Sequence, residues 1–261
     1  MYGSINGFNV ADNLKKLINK KNHTVFIENP LGENMIEQSK QFFVKIYGLD
    51  PIKENIYRAL LAKDQVNVLL IGPPATSKTL FMTIIQERCN DVCYFDAANT
   101  SGAGFIDFLF NHQKSKILII DEIDKLKKND LNSLLGILNN GKINKNLKNI
   151  TYNFSIKCKI LATSNSNTKL SKPMRSRFQE YHLPEYSNEE YIKVVKFCLN
   201  KDIDPTISET IARSLLAHDR KDVRAAISIS NLLQINDTVE DIARVVDTWI
   251  NYKSHDIIDY N

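Results

Sequence analysis

Cysteine is scarce in this chain and its spacing carries no chemistry. Cys89, Cys93, Cys158 and Cys198 include no C-x-x-C pair and no histidine partner at a zinc-ligand spacing. They read as free, mostly buried thiols, which suit a reducing compartment. Long apolar runs are missing too. None approaches the ~20 residues that cross a bilayer, and the first thirty residues lack a basic stretch followed by an apolar one, so no signal peptide is expected. Internal repeats and low-complexity tracts are absent. So is a strong excess of one charge: 34 Lys and Arg face 30 Asp and Glu, for a net charge of +4 and a pI near 8.7. That mild basicity permits a nucleic-acid partner without arguing for one. The expectation is a soluble, cytoplasmic protein with no membrane partner.

What is present is an ordinary apolar content, 43% over 261 residues, enough to bury a core in one large domain or two smaller ones. Residues 1–40 are polar, rich in Asn and Lys, and weakly patterned, and read as an N-terminal arm, a short helix or a partly disordered segment. Asp50-Pro51 looks like an N-cap followed by proline at the first helical position. Short apolar runs then alternate with helical patterns. Strands are expected at Val66–Ile71, Val92–Phe95, Ile117–Ile120, Ile156–Ala162 and Tyr181–Leu183. That alternation predicts an α/β fold with a parallel sheet and right-handed crossovers. Past Pro184 only amphipathic helices are expected, at Asn188–Leu199, Pro205–Ala217, Asp222–Leu233 and Val239–Tyr252. The expected division is therefore an α/β nucleotide-binding domain over 41–185 and a small all-α lid over 186–261.

Two short motifs carry chemistry. The first expected strand runs into Gly72-Pro73-Pro74-Ala75-Thr76-Ser77-Lys78-Thr79-Leu80 and then a helix, the context in which a phosphate-binding loop has meaning. Loop amides and the helix N-terminus can cradle phosphates. Lys78 would reach the β- and γ-phosphates and Thr79 would ligate Mg²⁺. Ser77 stands where the pattern has glycine, and serine is tolerated there if its φ stays negative. The second motif is Asp121-Glu122 at the C-terminal end of an apolar strand, where parallel sheets bind ligands. Asp121 fits a Mg²⁺-organising acid and Glu122 a general base that polarises water.

With these motifs the chain resembles the AAA+ ATPases, and later segments extend the resemblance over residues 42 to 250. Leu161-Ala162-Thr163-Ser164-Asn165 resembles sensor 1 with Asn165 as its polar residue. Pro173-Met174-Arg175-Ser176-Arg177-Phe178 resembles the arginine-finger segment, with Arg177 favoured and Arg175 the alternative. Asp222-Val223-Arg224 resembles sensor 2, and Ile46-Tyr47-Gly48 the stretch that packs on adenine. The resemblance implies ATP/ADP and Mg²⁺ as ligands, a strand order 5-1-4-3-2, and a homo-oligomeric ring, a hexamer.

Residues 141–152 alternate apolar and polar around an Asn-rich centre and resemble the hairpin that one AAA+ group carries before sensor 1. That group includes branch-migration helicases of the RuvB type, minichromosome-maintenance helicases and MoxR-like chaperones. The resemblance implies a Mg-ATP-driven motor, a DNA translocase or helicase, with Lys142, Lys145 and Lys148 as candidate phosphate contacts. The alternatives are a protein-remodelling chaperone, in which Phe105 after the Asn99–Gly104 loop would grip polypeptide, and a low-turnover switch or loader. Phe105 also reads as the first core residue of the next helix.

Overall fold

The computed structural model describes residues 34–99, 102–147, 150–166, 168–199, 203–234 and 237–253. Most of the expected N-terminal arm, with Thr100, Ser101, Lys148 and Asn149, lies outside them.

The four-residue apolar run Val68–Ile71 (β1) is buried along its whole length, as a strand covered on both faces must be. It lies one strand in from the edge of a five-stranded sheet with Val92–Asp96 (β2), Ile117–Asp121 (β3), Lys159–Ser164 (β6) and Gln179–His182 (β7). All pairings are parallel, in the order β7-β1-β6-β3-β2. Counted among sheet strands alone, that is the implied order 5-1-4-3-2. Side chains alternate between faces with the period of two that a strand imposes. Leu69, Ile71, Phe95, Leu118, Ile120 and Ile160 face one apolar cluster, against helices α4 (Gly102–Asn111) and α5 (Lys128–Asn140). Val68, Leu70, Ile117, Ile119 and Leu161 face the other, against α1 (Met35–Phe42), α2 (Asp50–Leu61) and α3 (Lys78–Arg88).

Several expected boundaries shift: β1 begins at Val68 rather than Val66, and β7 spans Gln179–His182 where Tyr181–Leu183 was expected. Asp50 is the first helical residue of α2 rather than its N-cap; Leu49, left-handed at φ 58°, holds the cap position. The expected fourth strand begins at Lys159, not Ile156. The Ile156 N–H instead donates to Gly141 O at 2.8 Å, closing the base of an antiparallel hairpin of Lys142–Leu147 (β4) and Ile150–Ser155 (β5). Ile156 and Cys158 are buried with the hairpin's Ile143 and Phe154, so their apolar character reports that packing and not a longer strand.

After the short helix Lys172–Arg175 (α6) and β7, the described residues form four helices: α7 (Asn188–Leu199), α8 (Pro205–Ala217), α9 (Val223–Ser230) and α10 (Val239–Lys253). These helices close a third cluster of their own around Tyr191, Val195, Ile211, Leu215, Ala226 and Val246. α7 opens on a capping box: Glu190 N–H donates to Ser187 Oγ at 3.2 Å and Ser187 N–H to Glu190 Oε2 at 2.8 Å. α9 is shorter than the expected Asp222–Leu233 helix; Asp222 caps it through a 2.9 Å bond from Arg224 N–H, and it ends at Ser230.

Candidate nucleotide site

The loop from Gly72 to Ser77 leaves the end of β1 under tight constraint. Leu183 N–H donates to Ile71 O at 2.7 Å, and a Cβ on residue 72 would lie 2.4 Å from Leu183 O. Only glycine fits there. Ala75 and Ser77 are both left-handed at φ 64°, and Thr76 between them is not. Such alternation turns successive amides toward one side and makes an anion-binding nest. The condition set for serine at this position, a negative φ, is therefore not met. The nest requires the left-handed backbone, and a residue with a Cβ gives up roughly 1–2 kcal/mol to adopt it. Ser77 Oγ lies 2.9 Å from the hydroxyl of Tyr186, at the foot of the helical segment.

Lys78 opens α3 and is buried; its Nζ donates to Gly72 O and Pro73 O, both at 2.6 Å. Burial pulls its pKa down, while the charges of Asp121, Glu122 and Asp124 pull it back up and Arg224 lowers it further. One ammonium thus senses both acids of the second motif and the arginine of the helical segment. Thr79 is exposed beside it and Leu80 half-buried.

Asp121 ends β3 with both carboxylate oxygens engaged. Thr163 of β6 donates its hydroxyl to Oδ1, and Tyr94 of β2 donates its own to Oδ2 at 2.6 Å. Burial first, and then the bond to this carboxylate, raise the Tyr94 pKa, so it remains a donor at all ordinary pH. The Thr163 hydroxyl also accepts the Glu122 N–H at 2.9 Å, which pins the peptide between the acids to the neighbouring strand. Glu122 is left-handed at φ 54°, and its Oε1 accepts from Asn165 Nδ2 at 3.1 Å. Buried Asp124 braces that turn from below: its Oδ1 accepts from Ser164 Oγ at 2.9 Å and from Asn165 N–H at 3.3 Å. Lys78, Asp121, Glu122 and Asn165 are thus brought to one end of the sheet.

Sequence reasoning missed Thr163, Tyr94, Asp124 and Tyr186. Asp124 had a signal, two residues beyond Glu122 in an Asp-Glu-x-Asp run. Thr163 lies inside the sensor-1 segment but was given no role. Tyr94 has only strand alternation to suggest it, and Tyr186 nothing, because its partner is 109 residues away.

The arginines separate clearly. Arg175 forms a bidentate pair with Glu180, Nε to Oε1 at 2.7 Å and Nη2 to Oε2 at 2.6 Å. Arg177 is exposed, held by Asn139 Oδ1 and by Pro173 O at 2.9 Å. Arg224 is 78% exposed in its side chain, 3.6 Å from Asp222. Tyr47 stacks at a tilt on Phe197 of α7, centroids 5.5 Å apart, in a cleft shared with Ile192 and Lys196; Gly48, left-handed at φ 59°, follows it.

The hairpin corrects one expectation. Lys145 Nζ is bound to α5, donating to Asn129 O at 3.1 Å and Ser133 Oγ at 2.9 Å, with buried Asp130 at 3.6 Å. It is spent inside the protein and not presented to a phosphate backbone. Lys142 is exposed, and Lys148 lies outside the described residues. Phe105 is fully buried, edge-on to Phe95 at 4.8 Å, so it is a core residue and no gripping aromatic. Among the described residues no cluster of His, Cys, Asp and Glu forms a metal site of three or more, and no helix is long and apolar enough to cross a membrane.

Comparison with known proteins gives a family match and a shared fold. Residues 68–185 match the family described as ATPase family associated with various cellular activities (AAA). Two solved structures of Thermotoga maritima RuvB mutants superpose with TM-scores of 0.61 and 0.57, each at 18% identity. They cover 79% and 78% of this chain and 72% and 70% of theirs. The DNA replication licensing factor mcm2 of Xenopus tropicalis is 22% identical over 227 residues, 71% of this chain and 24% of that protein. MCM2 of Oryza sativa subsp. indica is 22% identical over 238 residues, 75% of this chain and 23% of that protein. The chain thus spans about a quarter of the length of these curated relatives. Residues 68–185, which hold all five strands of the sheet in the 5-1-4-3-2 order, thus match the AAA ATPase family.

Proposed function

We propose that this chain binds Mg²⁺-ATP at the Gly72–Leu80 loop, hydrolyses it to ADP and phosphate, and works in a ring, a hexamer, on DNA. The observation that carries the catalytic part is the convergence of buried Lys78 with Asp121, Glu122 and Asn165 at the C-terminal edge of the sheet. The nest amides and Lys78 would hold the phosphates. Thr79 and Asp121 would hold Mg²⁺, which when bound neutralises phosphate charge. The donor set fits that hard cation: a hydroxyl and a carboxylate already oriented by two hydroxyl donors.

Glu122 is the base: its carboxylate can take a proton from water, and the Asn165 amide sets its direction. Arg177 is the finger offered to a neighbouring subunit's nucleotide. This choice is favoured because Arg175 is already committed to Glu180. Arg224 reads the phosphates from the lid formed by residues 186–261, and Tyr47 and Gly48 contribute to the adenine side.

The DNA part is supported by the names of the relatives, a DNA replication licensing factor and RuvB. The chaperone reading loses its support with Phe105 in the core. The test is nucleotide binding and turnover measured with and without duplex and single-stranded DNA. Lys78→Ala should lose ATP affinity, and Glu122→Gln should keep ATP bound while turnover stops. Full ATP binding by the Lys78 variant, or wild-type turnover by the Glu122 variant, would remove the assignment.

A further inference from the structure

Ser77 stands in the phosphate loop at a left-handed φ of 64°, a conformation that glycine adopts freely and serine does not. Its hydroxyl is not idle. It lies 2.9 Å from the Tyr186 hydroxyl, across 109 residues of sequence. Tyr186 is itself fixed at three points. Its ring packs on the core of the helical segment, the cluster that holds Tyr191 and Val195. Its carbonyl accepts Lys221 Nζ at 2.9 Å, three residues before Arg224. It immediately precedes Ser187, whose capping box opens α7, which puts it at the staple position of that helix. Burial raises its pKa and the Ser77 bond lowers it, the burial effect being the larger, so it stays protonated and able to bond.

We propose that the Ser77–Tyr186 hydroxyl pair is a strut that joins the phosphate loop to the helical segment, with Tyr186 a positioning residue for the triphosphate of a nucleotide. The strut has two consequences. It holds Ser77 in the left-handed conformation that the nest needs, offsetting the strain that a residue with a Cβ brings to that position. It also ties the loop's shape to the setting of α7 and, through Lys221, to the start of α9, where Arg224 sits. Loss of the glycine from the loop thus becomes a gain of a contact: nucleotide occupancy and lid setting share one hydrogen bond. The inference rests on the reading of the Gly72–Leu80 loop as the phosphate site.

A double-mutant cycle in the full chain tests it, with a fluorescent ATP analogue in Mg²⁺ as the probe. A neutral hydrogen bond of this kind corresponds to a several-fold change in affinity. Tyr186→Phe keeps the ring and removes the bond, so its Kd should rise roughly fivefold, about 1 kcal/mol at 1.4 kcal/mol per decade. Ser77→Gly removes the bond and the strain together, so its Kd is the reference against which the second substitution is read. In the Ser77→Gly background Tyr186→Phe should change nothing, because there is no longer a strained residue to hold. Ser77→Ala keeps the strain without the bond; it should match Tyr186→Phe and stands in for it if that variant does not fold.

Hydrogen exchange of the loop amides in the nucleotide-free proteins should quicken in Tyr186→Phe and Ser77→Ala and not in the double variant with glycine. Equal effects of Tyr186→Phe with serine or glycine at position 77, or no effect in either, overturn the strut. Lys78→Ala separates the two failures. If it loses ATP while the cycle is additive, the phosphate site stands and the strut falls. If it binds ATP as wild type does, the phosphate site itself is wrong.

Discussion

The Thr163 hydroxyl is the smallest group whose removal should be felt throughout the site. It is 1% exposed, accepts the Glu122 N–H at 2.9 Å and donates to Asp121 Oδ1. Thr163→Val keeps the volume and removes both bonds. The Asp121 bond is to a carboxylate, which places it at about 1.5–3 kcal/mol, and the stranded buried N–H of Glu122 adds about 1–3 kcal/mol. Some of this returns as the carboxylate relaxes toward Tyr94, so a net loss near 3 kcal/mol is expected, or roughly 6–12 °C in Tm for a domain of this size. Thr163→Ser does the reverse: it deletes a methyl and keeps the hydroxyl, for a loss near 1 kcal/mol.

Thermal melts therefore discriminate by order. The serine variant, with the smaller side chain, should melt above the valine variant. Titration of ATP-analogue binding against Mg²⁺ should show the same ranking, because only serine keeps Asp121 oriented. If Thr163→Val melts at or above Thr163→Ser, packing and not the hydroxyl bridge holds these strands together, and the account of Asp121 positioning fails.

Arg177→Ala should lower turnover of an assembled ring with ATP binding intact, and mixing it with Glu122→Gln should partly restore activity at mixed interfaces; absence of rescue in rings confirmed as mixed by mass argues against a finger acting in trans. Arg175→Ala should instead reduce stability. The Arg175 hydrogen bonds, chiefly, hold the Glu180 carboxyl below its ordinary value of 4.5. A carboxyl lowered on folding contributes stability that is complete above about pH 4.5 and is lost as pH falls through the folded-state value. Acid unfolding of the Arg175→Ala protein should therefore show a shallower loss of stability below pH 4.5 than wild type, and identical acid limbs would contradict the pairing. On the hairpin, Lys142→Ala should flatten the salt dependence of DNA binding by up to about one unit of slope. Lys145→Ala should leave that slope alone and lower the melting temperature, because its ammonium is bound to α5; a flattened slope there would put Lys145 back on the DNA.

Particular residues show why some of this was legible before the structure. Val68–Ile71 and Ile117–Ile120 are unbroken apolar runs bounded by a glycine–proline turn and by acids, patterns that local sterics and burial on two faces produce wherever they occur. The Asn188–Leu199 and Pro205–Ala217 helices were readable to the residue because their caps, Ser187 with Glu190 and Asp204 before Pro205, are sequence-local. Ile156 was misread because an apolar residue reports burial and not the partner that buries it.

Composition, periodicity and the two motifs by themselves determined an α/β P-loop sheet followed by helices, the phosphate loop, and the acid pair at the end of β3. These depend on neighbours within a few residues. Only the tertiary structure decided how the side chains are spent. Lys145 and Arg175 are charged residues of the same sequence type as Lys142 and Arg177, and folding alone turned the first two inward, to Asp130 and Glu180. Phe105 went to the core for the same kind of reason: α4 needs it against Phe95. Ser77 became left-handed because the loop must turn its amides to one side, and a tyrosine from the far end of the domain met its hydroxyl there. Contacts between residues 41 to 109 positions apart, such as Asn165 with Glu122 or Ser77 with Tyr186, are set by strand order and helix packing, which no local pattern encodes.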